Sequence, residues 1–192
     1  MSKPSFNTEL LDRAIIFAVH AHAGMERRGK GFPYIVHPME AVAIVATMTP
    51  DQELLAAAVL HDVVEDTDVT LEDIRSQFGE KVAALVEAES EEKLEGVSAE
   101  HSWRARKQAA IRRLSEASRE VKMVALGDKL SNMRAIARDY SAKGDELWKI
   151  FHVNNHQEHA WHYRGLAEAL KDLSDTPAYQ EFVRLVDQVF PR

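Results

Sequence analysis

The spacing of apolar residues predicts helices along almost the whole chain. Between Glu9 and about His22, apolar side chains recur with a period near 3.6, and Asn7 or Thr8 stands where a helix cap is expected. No segment shows the alternation that is typical of a β-strand. The fold class is therefore predicted to be all-α, a compact bundle of about eight helices. The remaining helices are predicted from Pro38, from a Thr49 cap to the pair His61-Asp62, from Thr70 to Phe78, and over about 80–88, 103–117, 121–138, 158–173 and 178–189.

A glycine-rich loop with positive charge separates the first two predicted helices. Its cations are Arg27, Arg28 and Lys30. It leads to His37 and Pro38, with the proline in the first turn of the second helix. Because a residue before proline is disfavoured in helical geometry, His37 is predicted to lie outside that helix.

The stretch from His61 to Asp66 contains four residues that can bind a cation or move a proton. If the helix before it continues through it, Glu65 lies on the same side as His61 and Asp62. His61 and Asp62 are neighbours and point about 100° apart on a helix, so an ion between them needs ligands from other segments. The stretch therefore predicts one part of a metal site.

Other segments supply candidate ligands. Apolar residues surround Asp128 and Lys129 in the predicted helix over 121–138, which indicates an ionisable pair turned toward a core. A set of imidazoles and carboxylates without sulfur suits Mn(II), Fe(II), Zn or Mg, with positions open to water or phosphate oxygens. Carboxylates that converge without a cation would repel one another strongly. The candidate metal ligands are His37, His61, Asp62 and Asp128.

Such an ion would lower the pKa of a bound water molecule, and Glu65 could orient that water or accept its proton. Phosphoester hydrolysis fits this machinery. A negative substrate also needs cations, which Arg27, Arg28, Lys30 and Lys129 can supply.

Composition narrows the range of partners. The formal net charge of -7 and the pI of about 5.7 argue against binding of nucleic acid or of an anionic membrane. There is no cysteine, and neither a signal peptide nor a run of about 18 apolar residues is present. We therefore expect a cytoplasmic protein that forms a single domain over residues 1–192, with a core of about 8–140 and a C-terminal helical extension of about 141–192. The sequence does not indicate an oligomeric state.

The candidate ligands resemble the H…HD…D signature of the HD-domain metal-dependent phosphohydrolases, with His37, then His61 and Asp62, then Asp128. More narrowly, four blocks resemble the hydrolase half of RelA/SpoT proteins and the stand-alone small alarmone hydrolases. The resemblance extends from about Leu10 to Arg138. The four blocks are Arg27-Arg28 with Pro33 to Pro38, His61 to Thr67, Phe78-Gly79, and Asp128 to Arg134.

This resemblance implies an HD-domain fold and Mn(II)-dependent removal of the 3′-pyrophosphate from ppGpp or pppGpp, which gives GDP or GTP and pyrophosphate. It implies one Mn(II) per chain, held by His37, His61, Asp62 and Asp128. It also implies that Glu65 and Asp66 activate water. The implied substrate-binding residues are Arg27, Arg28, Lys129 and Asn132.

Several alternatives stay open at this level. RelA/SpoT proteins carry Val-Thr-Lys-Leu where this chain has Ala88 to Lys93, so the base preference is not implied. The substrate could be another nucleotide, such as NADPH or a nucleoside phosphate, or the chain could be a nucleotide-sensing module without catalysis. Glu65 and Asp66 favour the enzyme, because a sensing module does not need a carboxylate that transfers protons beside its metal. The segment from Trp161 to Arg164 could stack a base or pack in a core, and His152, His156 and His159 could form a second metal site.

Overall fold

We describe the protein from a computed structural model that covers residues 7–90 and 99–191, with the side chains of 99–101 left out. The chain divides into two compact units, residues 1–90 and 91–192. The predicted single domain with a core of about 8–140 stays a prediction. Residues 91–98, which include the second half of the segment from Ala88 to Lys93, lie outside the described residues.

The first unit is built around one buried helix. All residues from Leu54 to Leu60 are buried, and the helix that contains them packs against three others of the unit. Because it is apolar on every side, it belongs to a core. Its C-terminal end therefore delivers His61 to the interior. The six helices are α1 (Glu9–Ala21), α2 (Val36–Val45), α3 (Gln52–Leu60), α4 (Val63–Asp66), α5 (Leu71–Phe78) and α6 (Glu80–Glu89).

The helix ends follow from capping chemistry. Thr70 and Asp73 form a capping box at the start of α5, and Gly79 ends that helix with a φ of 93°, which favours glycine. The predicted Thr49 cap is wrong. The cap of α3 is Asp51, whose side chain accepts a hydrogen bond from the Glu53 N–H.

Two further local predictions are wrong. The helix does not continue through His61 and Asp62: α3 ends at Leu60, and α4 begins at Val63. The reason lies in the backbone of Asp62, whose ψ of -5° turns the chain between the two helices. His37 lies inside α2, because the first turn requires no hydrogen bond from the nitrogen of Pro38.

The second unit is organised around its longest helix. α8 (Arg119–Lys143) packs against α10 (Pro177–Val189), and α7 (Ala99–Glu116) packs against α9 (His156–Ala169). Two 3-10 segments, Gly144–Ile150 and Lys171–Leu173, lie between the last three α-helices. Asp128 occupies the middle of α8 and is buried.

The all-α prediction is confirmed: the described residues form ten α-helices, and their one bridge of β type is an isolated pair between Glu26 and Pro33. The four-residue helix α4 and the 3-10 segments were not predicted. Among the described helices, none combines the length and the apolar character that crossing a membrane requires.

Candidate metal centre

His61 is held in one tautomer by the end of α3. Its side chain is buried, and its Nδ1 atom lies 2.7 Å from the carbonyl oxygen of Ala58. A carbonyl oxygen only accepts hydrogen bonds, so Nδ1 carries the proton and donates. In the neutral imidazole, Nε2 then presents a lone pair, which is the arrangement found in histidines that bind metal.

Asp62 and His37 meet this nitrogen. The Oδ2 atom of Asp62 lies 3.0 Å from Nε2 of His61 and 3.4 Å from Nε2 of His37. The two imidazole rings are 5.2 Å apart and nearly perpendicular. α2 delivers His37, because this helix packs against α3. Two imidazoles and one carboxylate of the first unit thus converge on one point.

This group fits a divalent metal ion. A carboxylate oxygen and the lone pair of His61 would repel each other at 3.0 Å, and a cation relieves that repulsion. Nitrogen and oxygen donors without sulfur suit Mn(II), Fe(II) or Zn. Three ligands from this unit leave positions for a further protein ligand, water or substrate.

Tyr34 joins the group, although the sequence analysis gave it no role. Its hydroxyl donates a hydrogen bond of 2.6 Å to Oδ2 of Asp62. Burial raises the pKa of Tyr34, and the negative charge of Asp62 raises it further, so the phenol stays protonated. The signal that could have indicated this residue is its place in the turn that opens α2, where its carbonyl accepts from the His37 N–H.

His22 lies behind Tyr34. Its side chain is buried, its ring is 4.9 Å from the Tyr34 ring, and its Nε2 atom has no hydrogen-bond partner among the described residues. Burial lowers the pKa of His22, while the charges of Asp62 and Asp66 act in the opposite direction. His22 is therefore a neutral packing partner of the tyrosine at neutral pH.

The predicted catalytic acids line an open cleft. Glu65 is half-buried and Asp66 exposed, both in α4. They lie on a short helix of their own rather than on a continuation of α3. The cleft has a volume of about 590 Å³ and is lined by Ala21, Met25, Glu65, Asp66, Thr67, Asp68, Val69 and Asp73.

The basic loop is ordered by its own hydrogen bonds. The N–H of Arg27 donates to the carbonyl of Phe32, and the N–H of Tyr34 donates to that of Met25. A turn closes between Arg27 and Lys30, with a φ of 67° at Gly29. The guanidinium of Arg27 lies 5.2 Å above the Tyr34 ring. Arg28, next in the loop, is exposed.

The second unit holds the other predicted site residues. The carboxylate of Asp128 is buried and accepts hydrogen bonds from the side chains of Lys129 and Asn132. Burial lowers the pKa of the nearby His162, and the charges of Lys107 and Lys129 act in the same direction. The proposed contacts of Lys129 and Asn132 with substrate stay predictions.

The C-terminal aromatic residues pack inside this unit. The Tyr163 ring stacks on Phe190 at 5.8 Å, and Arg164 donates to the Phe190 carbonyl. His159 bonds the carbonyl of Val153 and stacks on Trp148. In the part of the chain that the structure describes, no group of three potential metal ligands includes a histidine from 152–159. These contacts favour core packing over base stacking for the segment from Trp161 to Arg164.

Comparison with known proteins adds relatives of two kinds. The GTP pyrophosphokinase rsh of Brucella ovis is 37% identical over 135 residues, which cover 70% of this chain and 18% of that protein. A guanosine-3′,5′-bis(diphosphate) 3′-pyrophosphohydrolase of Aquifex aeolicus is 46% identical over 81 residues, 42% of this chain and 12% of that protein. The chain therefore spans less than a fifth of the length of these curated relatives.

Solved structures share the fold. A metazoan ortholog of SpoT, described as hydrolysing ppGpp with a role in starvation responses, superimposes with a TM-score of 0.73 at 22% identity and covers 98% of this chain and 97% of that one. A Listeria monocytogenes protein does so with a TM-score of 0.71 at 29% identity, over 81% of this chain and 99% of that one. The predicted HD-domain fold is confirmed.

One family model, described as HD domain, matches residues 14–153. The match includes the three converging candidate ligands of the first unit, and it extends over Asp128. Because it covers well over half of the sequence, this chain belongs to the HD domain family.

Proposed function

We propose that the chain is a metal-dependent phosphohydrolase that removes the 3′-pyrophosphate from ppGpp or pppGpp, giving GDP or GTP and pyrophosphate. The observation that carries the proposal is the convergence of His37, His61 and Asp62, with the lone pair of His61 directed at the carboxylate. The relatives named for the same reaction support the choice of substrate.

The proposed cofactor is one Mn(II) per chain, held by His37, His61, Asp62 and Asp128. The chemistry of the donor set supports a divalent ion, and the resemblance to the RelA/SpoT hydrolases supports manganese among the candidates. Asp128 is proposed as the fourth ligand because it is the last member of the H…HD…D signature and because it is a carboxylate held in a buried position.

When bound, the ion would supply Lewis acidity, which makes water a stronger nucleophile at neutral pH. Glu65 is proposed to accept the proton that water loses as its oxygen attacks the phosphorus next to the ribose 3′ oxygen. The bond between that phosphorus and the 3′ oxygen breaks, and the 3′ oxygen is protonated. Asp66, exposed on the same cleft, is proposed to assist this proton transfer.

Cationic and amide side chains are proposed to bind the nucleotide. Arg27 and Arg28 belong to an ordered loop beside the metal ligands of the first unit, and guanidinium groups match phosphate geometry. Lys129 and Asn132 are proposed to contact phosphate and sugar. The cytoplasmic location predicted from the composition is part of the same proposal.

A nucleotide panel tests the function. The full chain with Mn(II) would be incubated with ppGpp, pppGpp, NADPH and nucleoside triphosphates, and the products identified by ion-exchange chromatography. We expect pyrophosphate and GDP from ppGpp. Orthophosphate alone, or faster turnover of NADPH, would favour another nucleotide as substrate, and binding without turnover would favour a sensing module.

Two histidine variants complete this experiment. His61→Ala removes a proposed ligand and should abolish turnover. His20→Gln changes an exposed histidine of the same unit and should leave turnover unchanged. Equal activity in both variants would contradict the proposed site.

A further inference from the structure

We propose that Tyr34 is a positioning residue that holds the metal-binding carboxylate of Asp62 with its hydroxyl and supports Arg27 with its ring. The part that concerns Asp62 requires only the metal site. The part that concerns Arg27 rests on the proposed function, because it assumes that this arginine binds a phosphate of the substrate.

The hydroxyl of Tyr34 donates its hydrogen bond to the Asp62 oxygen that faces both histidines. Oδ2 of Asp62 is the atom that faces both imidazoles, and it accepts the 2.6 Å hydrogen bond. The Asp62 side chain is 20% exposed and lies on a turn between two helices, so packing alone restrains it weakly. The hydrogen bond therefore selects the carboxylate orientation that points at both histidines.

The ring of Tyr34 is itself fixed from several sides. His22 packs at 4.9 Å and His37 at 6.0 Å in an edge arrangement. The backbone of Tyr34 donates to the Met25 carbonyl and accepts from the His37 N–H, both at 2.9 Å. Because Tyr34 and His37 are tied through the backbone, the donor to Asp62 and one metal ligand keep their relative position.

The ring of Tyr34 also contacts Arg27. Its guanidinium carbon lies 5.2 Å from the centre of the Tyr34 ring, within the range of a cation–π contact. A guanidinium binds phosphate through its N–H groups, so a contact between its carbon atom and an aromatic ring is compatible with phosphate binding. One side chain thus contacts both the carboxylate of the metal centre and a cation of the basic loop.

Removal of the hydroxyl tests the first part without any nucleotide. Mn(II) would be titrated into metal-free Tyr34→Phe protein by calorimetry. We expect the Kd for Mn(II) to rise by about 10-fold to 100-fold, as for other groups that orient metal ligands. The matched control is Tyr179→Phe, which loses a tyrosine hydroxyl bond of 2.9 Å to the Ala167 carbonyl and should bind Mn(II) like the wild type.

Melting curves of the metal-free proteins separate this effect from a folding defect. If Tyr34→Phe melts like the Tyr179→Phe control and still binds Mn(II) with wild-type affinity, the positioning role is wrong. If the variant unfolds, Mn(II) titration of the protein with 4-aminophenylalanine in place of Tyr34, whose amine donates from the place of the hydroxyl, decides the question. Restored affinity supports the role, and affinity lost in a folded protein contradicts it.

The ring is tested by comparing two variants at saturating Mn(II). Tyr34→Phe keeps the surface under Arg27 and should leave the KM for ppGpp within about twofold, whereas Tyr34→Leu and Arg27→Gln should each raise it several-fold. Equal KM values in the Phe and Leu variants would contradict the support of Arg27. If the wild type does not hydrolyse ppGpp at all, the proposed function fails, while the Mn(II) titration still decides the role of Tyr34 at Asp62.

Discussion

The Nδ1 atom of His61 donates a hydrogen bond to the carbonyl oxygen of Ala58, one turn earlier in the buried helix α3. This bond divides the functions of the imidazole between its two nitrogens. One nitrogen bonds the helix backbone, and the other faces the carboxylate of Asp62.

Two substitutions at His61 should separate these functions. His61→Asn keeps an N–H near the position of Nδ1 but has no counterpart of Nε2, so it should lose Mn(II) while the metal-free protein stays close to wild-type stability. His61→Ala should lose Mn(II) and also destabilise the metal-free protein by about 1–3 kcal/mol, because the buried Ala58 carbonyl loses its donor. Calorimetric Mn(II) titration and urea unfolding measure the two quantities. Stoichiometric Mn(II) in the Asn variant would show that Nε2 is not a ligand.

Removal of the metal should act on activity and stability together. Treatment with EDTA should abolish turnover, and the melting temperature should fall because an ion that binds only the folded state stabilises it by about 2.7 kcal/mol at 100 times its Kd. Added Mn(II) should restore both. Scanning calorimetry with and without chelator measures the shift. Full turnover in a metal-stripped sample would contradict the metal-dependent reaction.

Glu65→Gln should separate proton transfer from metal binding. The change keeps size and hydrogen bonding but removes the base, so Mn(II) should stay stoichiometric while kcat falls by about 100-fold or more. Metal analysis and steady-state kinetics of the same preparation provide the readout. Loss of the ion would make Glu65 a metal ligand, and near wild-type kcat would transfer the role of base to Asp66.

A pH-dependent contribution to stability is expected from Glu181 in α10. Two hydrogen bonds from Arg134 lower the pKa of this carboxylate below its usual range. Because the folded pKa is lower than the unfolded one, the pair stabilises the protein above the unfolded value, and this contribution disappears as the pH falls through the folded pKa.

Glu181→Gln should therefore lower the melting temperature at pH 7 by about 1–3 °C, and the difference from the wild type should shrink at pH 3. Glu168→Gln is the control, because Glu168 is exposed and pairs only at 3.4 Å with Lys171. A destabilisation by Glu181→Gln that is the same at both pH values would show that charge is not its cause.

The features that the sequence predicts are those that depend on near neighbours in the chain. The helix start at Thr70, the glycine after Phe78 and the apolar period of α1 are local, and the structure has them where they were expected. The candidate ligands His37 and His61 were identified by residue type and by motif. Their convergence in the first unit follows from the packing of α2 on α3.

Features that depend on one long-range contact were missed. Tyr34 and Asp62 are 28 positions apart, and a tyrosine in a loop carries no pattern that names its acceptor. The break after Leu60 was missed for a related reason. The break depends on one backbone angle, the ψ of Asp62. The apolar residues on either side of it are equally consistent with a continuous helix.

The break between α3 and α4 makes two separate elements of the segment that carries His61 and the segment that carries Glu65. The end of α3 that carries His61 is embedded in packed side chains, whereas the α4 residues Glu65 and Asp66 line the open cleft. Residues 64–69, none of which is buried, can therefore be exchanged as a cassette without repacking the helix that carries His61. An engineer who wished to alter the reaction while retaining the ion would begin with this cassette, and a library confined to it should yield folded proteins more often than one directed at α3.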